Sequence, residues 1–89
     1  MALSMDRRLI LLENAARKLR PVEIDYRCGK DNQVETRVIE IDEIPPNKKT
    51  GEPYIRAYCR MRRETRNFNP GGILRHRTLR TVGYQAVMA

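Results

Sequence analysis

The stretch Pro53 to Phe68, PYIRAYCRMRRETRNF, constrains the fold more than any other part of this chain. In an extended strand successive side chains point to opposite faces, so Ile55, Ala57, Cys59 and Met61 fall on one side, all apolar. Tyr54, Arg56, Tyr58 and Arg60 fall on the other, which is a ring-and-cation face. A turn is expected over Arg62-Arg63-Glu64-Thr65, after which Arg66-Asn67-Phe68 again sets a guanidinium and a ring on one side. The pattern is that of a β-hairpin with one face for a core and one for anions. Arginine is planar, permanently charged and able to donate two parallel hydrogen bonds, which suits phosphate and carboxylate oxygens. The same face would also serve as an ordinary solvated sheet surface, and composition alone does not separate the two.

The charge is uneven along the chain. Met1 to Pro53 carries ten basic and ten acidic residues, whereas Tyr54 to Ala89 carries eight arginines against the single Glu64. The net charge of +7 therefore resides wholly in the C-terminal part. A localised basic surface favours polyanions, because each phosphate contact releases counterions. Glu35, Glu40, Asp42 and Glu43 are the carboxylates expected to pair across the sheet, and four acids leave part of the excess uncovered.

Ahead of the hairpin, residues 4–19 carry few helix breakers, with Ser4 or Asp6 as cap and Leu9, Leu12, Ala16 and Leu19 on one side. This predicts an amphipathic helix that stops before Pro21, with Arg7, Arg8, Arg17 and Lys18 on its solvated face. Residues 22–27 alternate as a strand with Val22, Ile24 and Tyr26 on one face, and residues 29–32 suit a hairpin turn. Residues 33–44 read as a long strand whose apolar parity changes, so a bulge is expected near Val38-Ile39. Residues 45–52 form a polar connector with two prolines; Lys48 and Lys49 are candidates for ligand contact. Residues 69–72 form a second breaker, and 73–82 a last strand with Leu74, Leu79 and Val82 available to the core and Arg75, Arg77 and Arg80 as a basic stripe. One helix and about five short strands make a mainly β domain over residues 6–82. Met5 is expected to be the natural start, with 83–89 a tail whose Tyr84, Val87 and Met88 are available to cover a sheet edge or a neighbouring subunit.

Eighty-nine residues make a single small domain near the lower limit for an independent core, which leaves room for a homodimer. Two cysteines, no signal-like run and no long apolar stretch point to a reducing, cytoplasmic setting away from membranes. Cys28 and Cys59 read as small core side chains, and four ligands at zinc spacing are lacking, so neither metal nor cofactor is expected. No nucleophile–histidine–carboxylate set or glycine-rich phosphate loop is legible, and an enzyme is the weakest reading. Glu40 and Asp42 leave a metal-dependent nuclease open. His76, the sole histidine, carries no catalytic context.

Tyr54-Ile55, Ala57-Tyr58-Cys59, Arg62, Arg66-x-Phe68 and Ile73 stand in an order and spacing that resembles the WYL domain of bacterial regulators. The similarity extends upstream to the helix, to Tyr26 and to Arg37, and covers roughly Leu12 to Val82. Pro53 stands where that motif has tryptophan, and Gly71-Gly72 where it has Asp-Arg, so one basic ligand contact is lost at Gly72. The resemblance implies an SH3-like or Sm-like small barrel. It also implies a regulatory sensor, in transcription factors or beside phage-defence components, that binds single-stranded DNA or RNA or a nucleotide-like anionic effector. Carried over residue by residue, that role falls on Arg37, Tyr54, Arg62, Arg66 and Phe68; the alternating face adds Arg56, Tyr58 and Arg60. Phe68 is equally suited to the core. A second function class stays open, a protein-interaction or dimerisation module whose basic face meets an acidic partner. The family's helix-turn-helix and downstream extension are not in this sequence, which fits either an excised or a free-standing domain.

Overall fold

Helix α1 spans Met5–Arg17 and buries Leu12 and Ala15. In the computed structural model, which describes residues 5–28, 32–81, 83 and 84, the helix ends earlier than its apolar pattern suggests. Leu19 N–H donates to Ala16 O at 3.1 Å and Arg20 N–H to Ala15 O at 2.9 Å, with Leu19 at φ 53°. These are the paired bonds of a Schellman cap, which turns the chain ahead of Pro21. Leu19 is consequently 51% exposed instead of docking with Leu12.

Five antiparallel strands follow, β1 (Val22–Cys28), β2 (Gln33–Glu43), β3 (Ile55–Cys59), β4 (Glu64–Phe68) and β5 (Ile73–Thr78). Their order in the sheet is β4-β3-β2-β1-β5. Val22 and Ile24, Ile39 and Ile41, Ile55, Ala57 and Cys59, with Phe68 and Ile73, supply the core against Leu12 and Ala15. The mainly β expectation and the N-terminal helix are both borne out.

Four details differ from the sequence pattern. The parity of β2 does not reverse at Val38-Ile39, because Arg37 takes the inward position that precedes Ile39 and Ile41. Val34 is left half exposed on the other side, and the register irregularity sits between Ile41 and Glu43. The hairpin turn falls two residues early, at residues 60–63, where Arg63 N–H donates to Cys59 O at 2.7 Å and Arg63 adopts φ 56°. Met61 therefore lies in the turn, 50% exposed, and leaves the core face. Leu74 likewise points outward, since Ile73 claims the inward position at the start of β5. Arg8 is not simply solvated, as its guanidinium donates to the carbonyls of Ile73 and Leu74.

The sheet curls enough to bring β1 and β4, which are not neighbours in it, into contact. Tyr26 on β1 and Phe68 on β4 pack edge to face with centroids 5.1 Å apart, and the Tyr26 hydroxyl accepts from Asn69 N–H at 2.9 Å. A 3-10 turn, Pro70–Gly72, then carries the chain across to β5, with the Asn69 side chain accepting from Gly71 N–H. Gly72 is needed here for space: a Cβ at this position would stand 2.9 Å from Tyr26 Cε1. Because that ring is pinned at both ends, Gly72→Ala is expected to cost about 1–3 kcal/mol, read as a lower urea midpoint. An unchanged midpoint would show that the Tyr26 ring moves aside freely.

After β5 the chain returns over the helix end. Leu79 N–H donates to Pro21 O, Gly83 N–H to Leu19 O, and the Tyr84 hydroxyl to Ile41 O at 2.8 Å. Tyr84 thus covers the end of β2; Val82, Val87 and Met88, like the 29–31 hairpin tip, lie outside the described residues. Among the described residues no helix is long and apolar enough to cross a membrane.

Candidate anionic-ligand groove

The connector between β2 and β3 is an ordered tip. Asn47 Oδ1 accepts from Lys49 N–H at 2.8 Å and from Thr50 N–H at 3.2 Å, and Thr50 Oγ1 accepts from Glu52 N–H. Asn47 N–H donates to Glu52 O and Gly51 N–H to Asn47 O, both at 2.7 Å. Gly51 closes the turn at φ +76°, a conformation that glycine adopts without steric cost. Bridging of Pro46 with Pro53 seals the base. Lys48 and Lys49 are therefore held on a self-bonded tip.

This tip forms one wall of an open groove of about 1050 Å³. Tyr26, Phe68 and Asn69, where β1 and β4 come into contact, line it as well, together with Tyr54, Arg56 and Asn67. Three cations, Lys48, Lys49 and Arg56, face one lining carboxylate, Glu52. Arg56 is ion-paired to Glu43, its partner across the β2–β3 ladder, and donates to the Tyr54 hydroxyl at 3.4 Å. The Tyr54 hydrogen bond, with Glu43 beside it, raises the Arg56 pKa. The lining thus combines three cations with the rings of Tyr26 and Tyr54, a composition that suits backbone contacts together with stacking.

The eight residues singled out from sequence do not converge. Tyr54, Arg56 and Phe68 line the groove, although Phe68 is only 2% exposed and serves chiefly as core. Tyr58 lies further along the outer face of β3, pairing with buried Glu40 across the ladder, and Arg60, first residue of the turn after it, donates through Nε to Glu40 Oε2 at 2.7 Å. Arg62 sits exposed in the turn. Arg66 pairs opposite Ala57, hence on the other face from Arg56, and bonds to Glu64 at 3.5 Å. Arg37 points inward at 6% exposure with Nη2 bonded to Glu35 at 3.0 Å, while its buried Nε has no hydrogen-bond partner. Burial works to lower the Arg37 pKa, but the Glu35 hydrogen bond and the neighbouring Cys28 and Cys59 outweigh it and the value is raised.

Pairing consumes much of the arginine excess. Glu43, Glu40, Glu64, Asp25 and Glu23 take Arg56, Arg60, Arg66, Arg75 and Arg77 respectively. The Arg75 and Arg77 stripe is thus the basic half of a β1–β5 ion-pair ladder. Among the described residues, no ion pair engages Lys48, Lys49, Arg62 or Arg63. Sequence reasoning placed Lys48 and Lys49 as candidates but missed Tyr26 and Asn67 as groove residues. The only available sign was an asparagine inside a strand, a residue type depleted there. No group of three or more histidines, cysteines or acids among the described residues could hold a metal ion, and both cysteines are free.

The sequence profile of the WYL domain matches residues 7–78. No curated protein matches the chain. Among solved structures, the fold is similar to part of the proteasome accessory factor B/C (PafBC) of Arthrobacter aurescens, with a TM-score of 0.80 at 16% identity. The match covers 97% of this chain but 13% of that one, so the chain spans a small fraction of the PafBC length. With the family profile running from α1 to the end of β5, over the strands that frame the groove, this chain belongs to the WYL-domain family.

Proposed function

We propose that this domain is an effector-sensing module of a bacterial transcriptional or defence regulator, acting in the cytoplasm, and that its groove binds single-stranded nucleic acid. The observation that carries the reading is the groove itself, whose lining combines Lys48, Lys49 and Arg56 with Tyr26 and Tyr54. Rings stack on bases of any identity and cations track the phosphates, so such a surface needs no base contact to bind. Family membership supports a sensing role, and the lining chemistry is that of binding and not of bond cleavage. Arg37, Arg62 and Arg66 enter the reading as long-range contributors to the potential, with direct contact assigned to Tyr54, Arg56, Lys48 and Lys49.

Fluorescence anisotropy with labelled single-stranded DNA and RNA over a salt series tests this. Binding is expected to weaken steeply with salt. The double charge reversal Lys48→Glu/Lys49→Glu is expected to lower affinity at least tenfold and to reduce the salt slope by roughly 1–1.5, as two lost phosphate contacts require. Absence of binding at low salt, or an unchanged slope in the double variant, would refute the groove as the site.

A further inference from the structure

β2 is the central strand of the sheet, yet its first half has a neighbour on one side alone. β1 pairs with it from Gln33 to Ile39, whereas the β3 ladder ends where Cys59 stands opposite Ile39. One further bond, from Arg60 N–H to Val38 O at 3.1 Å, closes that side before the chain turns away. Backbone groups of alternate residues in an antiparallel strand point to the same side. Because Val38 O faces β3, the N–H and C=O of Val34 and Thr36 face that side too, where no strand lies among the described residues. Both are exposed, uncharged and β-branched, a type that favours strand pairing. Open edges are ordinarily guarded by charge, as β4 is by Glu64 and Arg66 and β5 by Arg75 and Arg77. The open half of β2 lacks that guard, since its one acid, Glu35, is taken by Arg37.

We propose that this edge takes up an extended acidic segment of a partner protein as an added strand. At the Val38 end stands the turn that carries Arg62 and Arg63, both exposed and engaged by no ion pair among the described residues, with Met61 50% exposed beside them. At the other end Arg27, opposite Val34 on β1, is exposed as well. Strand addition draws affinity from main-chain hydrogen bonds and specificity from alternate side chains. A segment that alternates acidic and apolar residues complements the cations at both ends and the exposed Val34 and Met61. A second copy of this chain, itself at +7, is repelled, and a nucleic acid lacks the peptide groups that would pair with the edge. None of these residues lines the groove, so the surface is independent of the one assigned to nucleic acid.

Amide hydrogen exchange followed by NMR tests the edge itself. The Val34 and Thr36 amides are expected to exchange roughly tenfold faster than those of Glu35 and Arg37, whose backbone groups face β1. Occupancy is read by fluorescence anisotropy with a labelled peptide of alternating Glu and Val, beside the same peptide N-methylated throughout. The alternating peptide is expected to bind and to slow exchange at Val34 and Thr36, and N-methylation to weaken it roughly tenfold, as lost main-chain bonds require. Val34→Pro removes the N–H that faces the open side, at a position where an edge tolerates proline. It is expected to weaken the peptide by a similar factor with circular dichroism and oligonucleotide affinity unchanged. Equal exchange at Val34 and Arg37 in the free chain, no binding of the alternating peptide, or equal binding of the N-methylated one would overturn the proposal. A fall in oligonucleotide affinity in Val34→Pro would overturn it too, by giving the edge to nucleic acid.

Discussion

Phe68→Ala is expected to cost about 3–5 kcal/mol, as truncation of a buried aromatic ring does. A small domain has roughly 5–15 kcal/mol in total, so much of the population should unfold under mild denaturant. The size follows from where the ring sits. Phe68 is 2% exposed and its contact with Tyr26 joins β4 to β1, two strands that are not neighbours in the sheet. Removing it opens the contact between those two strands as well as a cavity. Urea denaturation of Phe68→Ala, Tyr26→Ala and the double variant should give a coupling energy near 1 kcal/mol for the edge-to-face pair. Phe68→Leu, which retains most of the volume, should be markedly milder. If Phe68→Ala left stability intact while abolishing oligonucleotide binding, the ring would belong to the ligand and not to the core.

Arg60→Ala is expected to destabilise by roughly 1–3 kcal/mol, because it removes a charge-assisted hydrogen bond from a buried carboxylate. The Glu40 side chain has no exposed surface, whereas that of Arg60 is 25% exposed, so the loss should lie below that of a fully buried pair. Urea denaturation of the variant beside the unaltered chain would detect the loss as a lower midpoint. Replacing both partners with apolar residues, Glu40→Leu/Arg60→Met, should recover most of the stability. Oligonucleotide affinity per folded molecule should stay unchanged, because Arg60 does not line the groove. A fall in affinity at unaltered stability would assign Arg60 to the ligand instead.

These two residues show how far a strand pattern reaches. Alternation in residues 53–68 correctly separated Ile55, Ala57 and Cys59 from Arg56, Tyr58 and Arg60, since the side-chain period of a strand is fixed by the backbone. It also placed Arg66 and Phe68 on one side, but that side is the core side of β4. Phe68 is swallowed by the contact with Tyr26, and Arg66 escapes to solvent because β4 is an edge strand. Arg37 was legible as a basic position on β2 but not as an inward one, as its neighbours Val34 and Val38 advertise the opposite parity. Gly72 reads in sequence as a missing side chain; its backbone position, against the face of Tyr26, shows why no side chain fits there.

The order of elements, the apolar faces of β1 and β3, the helix with its stop before Pro21 and the concentration of arginine after Pro53 were all fixed by local chemistry. Each depends on residues within one or two turns of one another. Which arginines keep their charge free was decided only by the tertiary structure. Pairing joins residues up to 54 positions apart, as in Arg77 with Glu23, and Coulomb attraction follows distance in space and not along the chain. The same closure that brought carboxylates to the arginines of β3, β4 and β5 left Lys48 and Lys49 beside Tyr26, Tyr54 and Asn67, and so formed the groove.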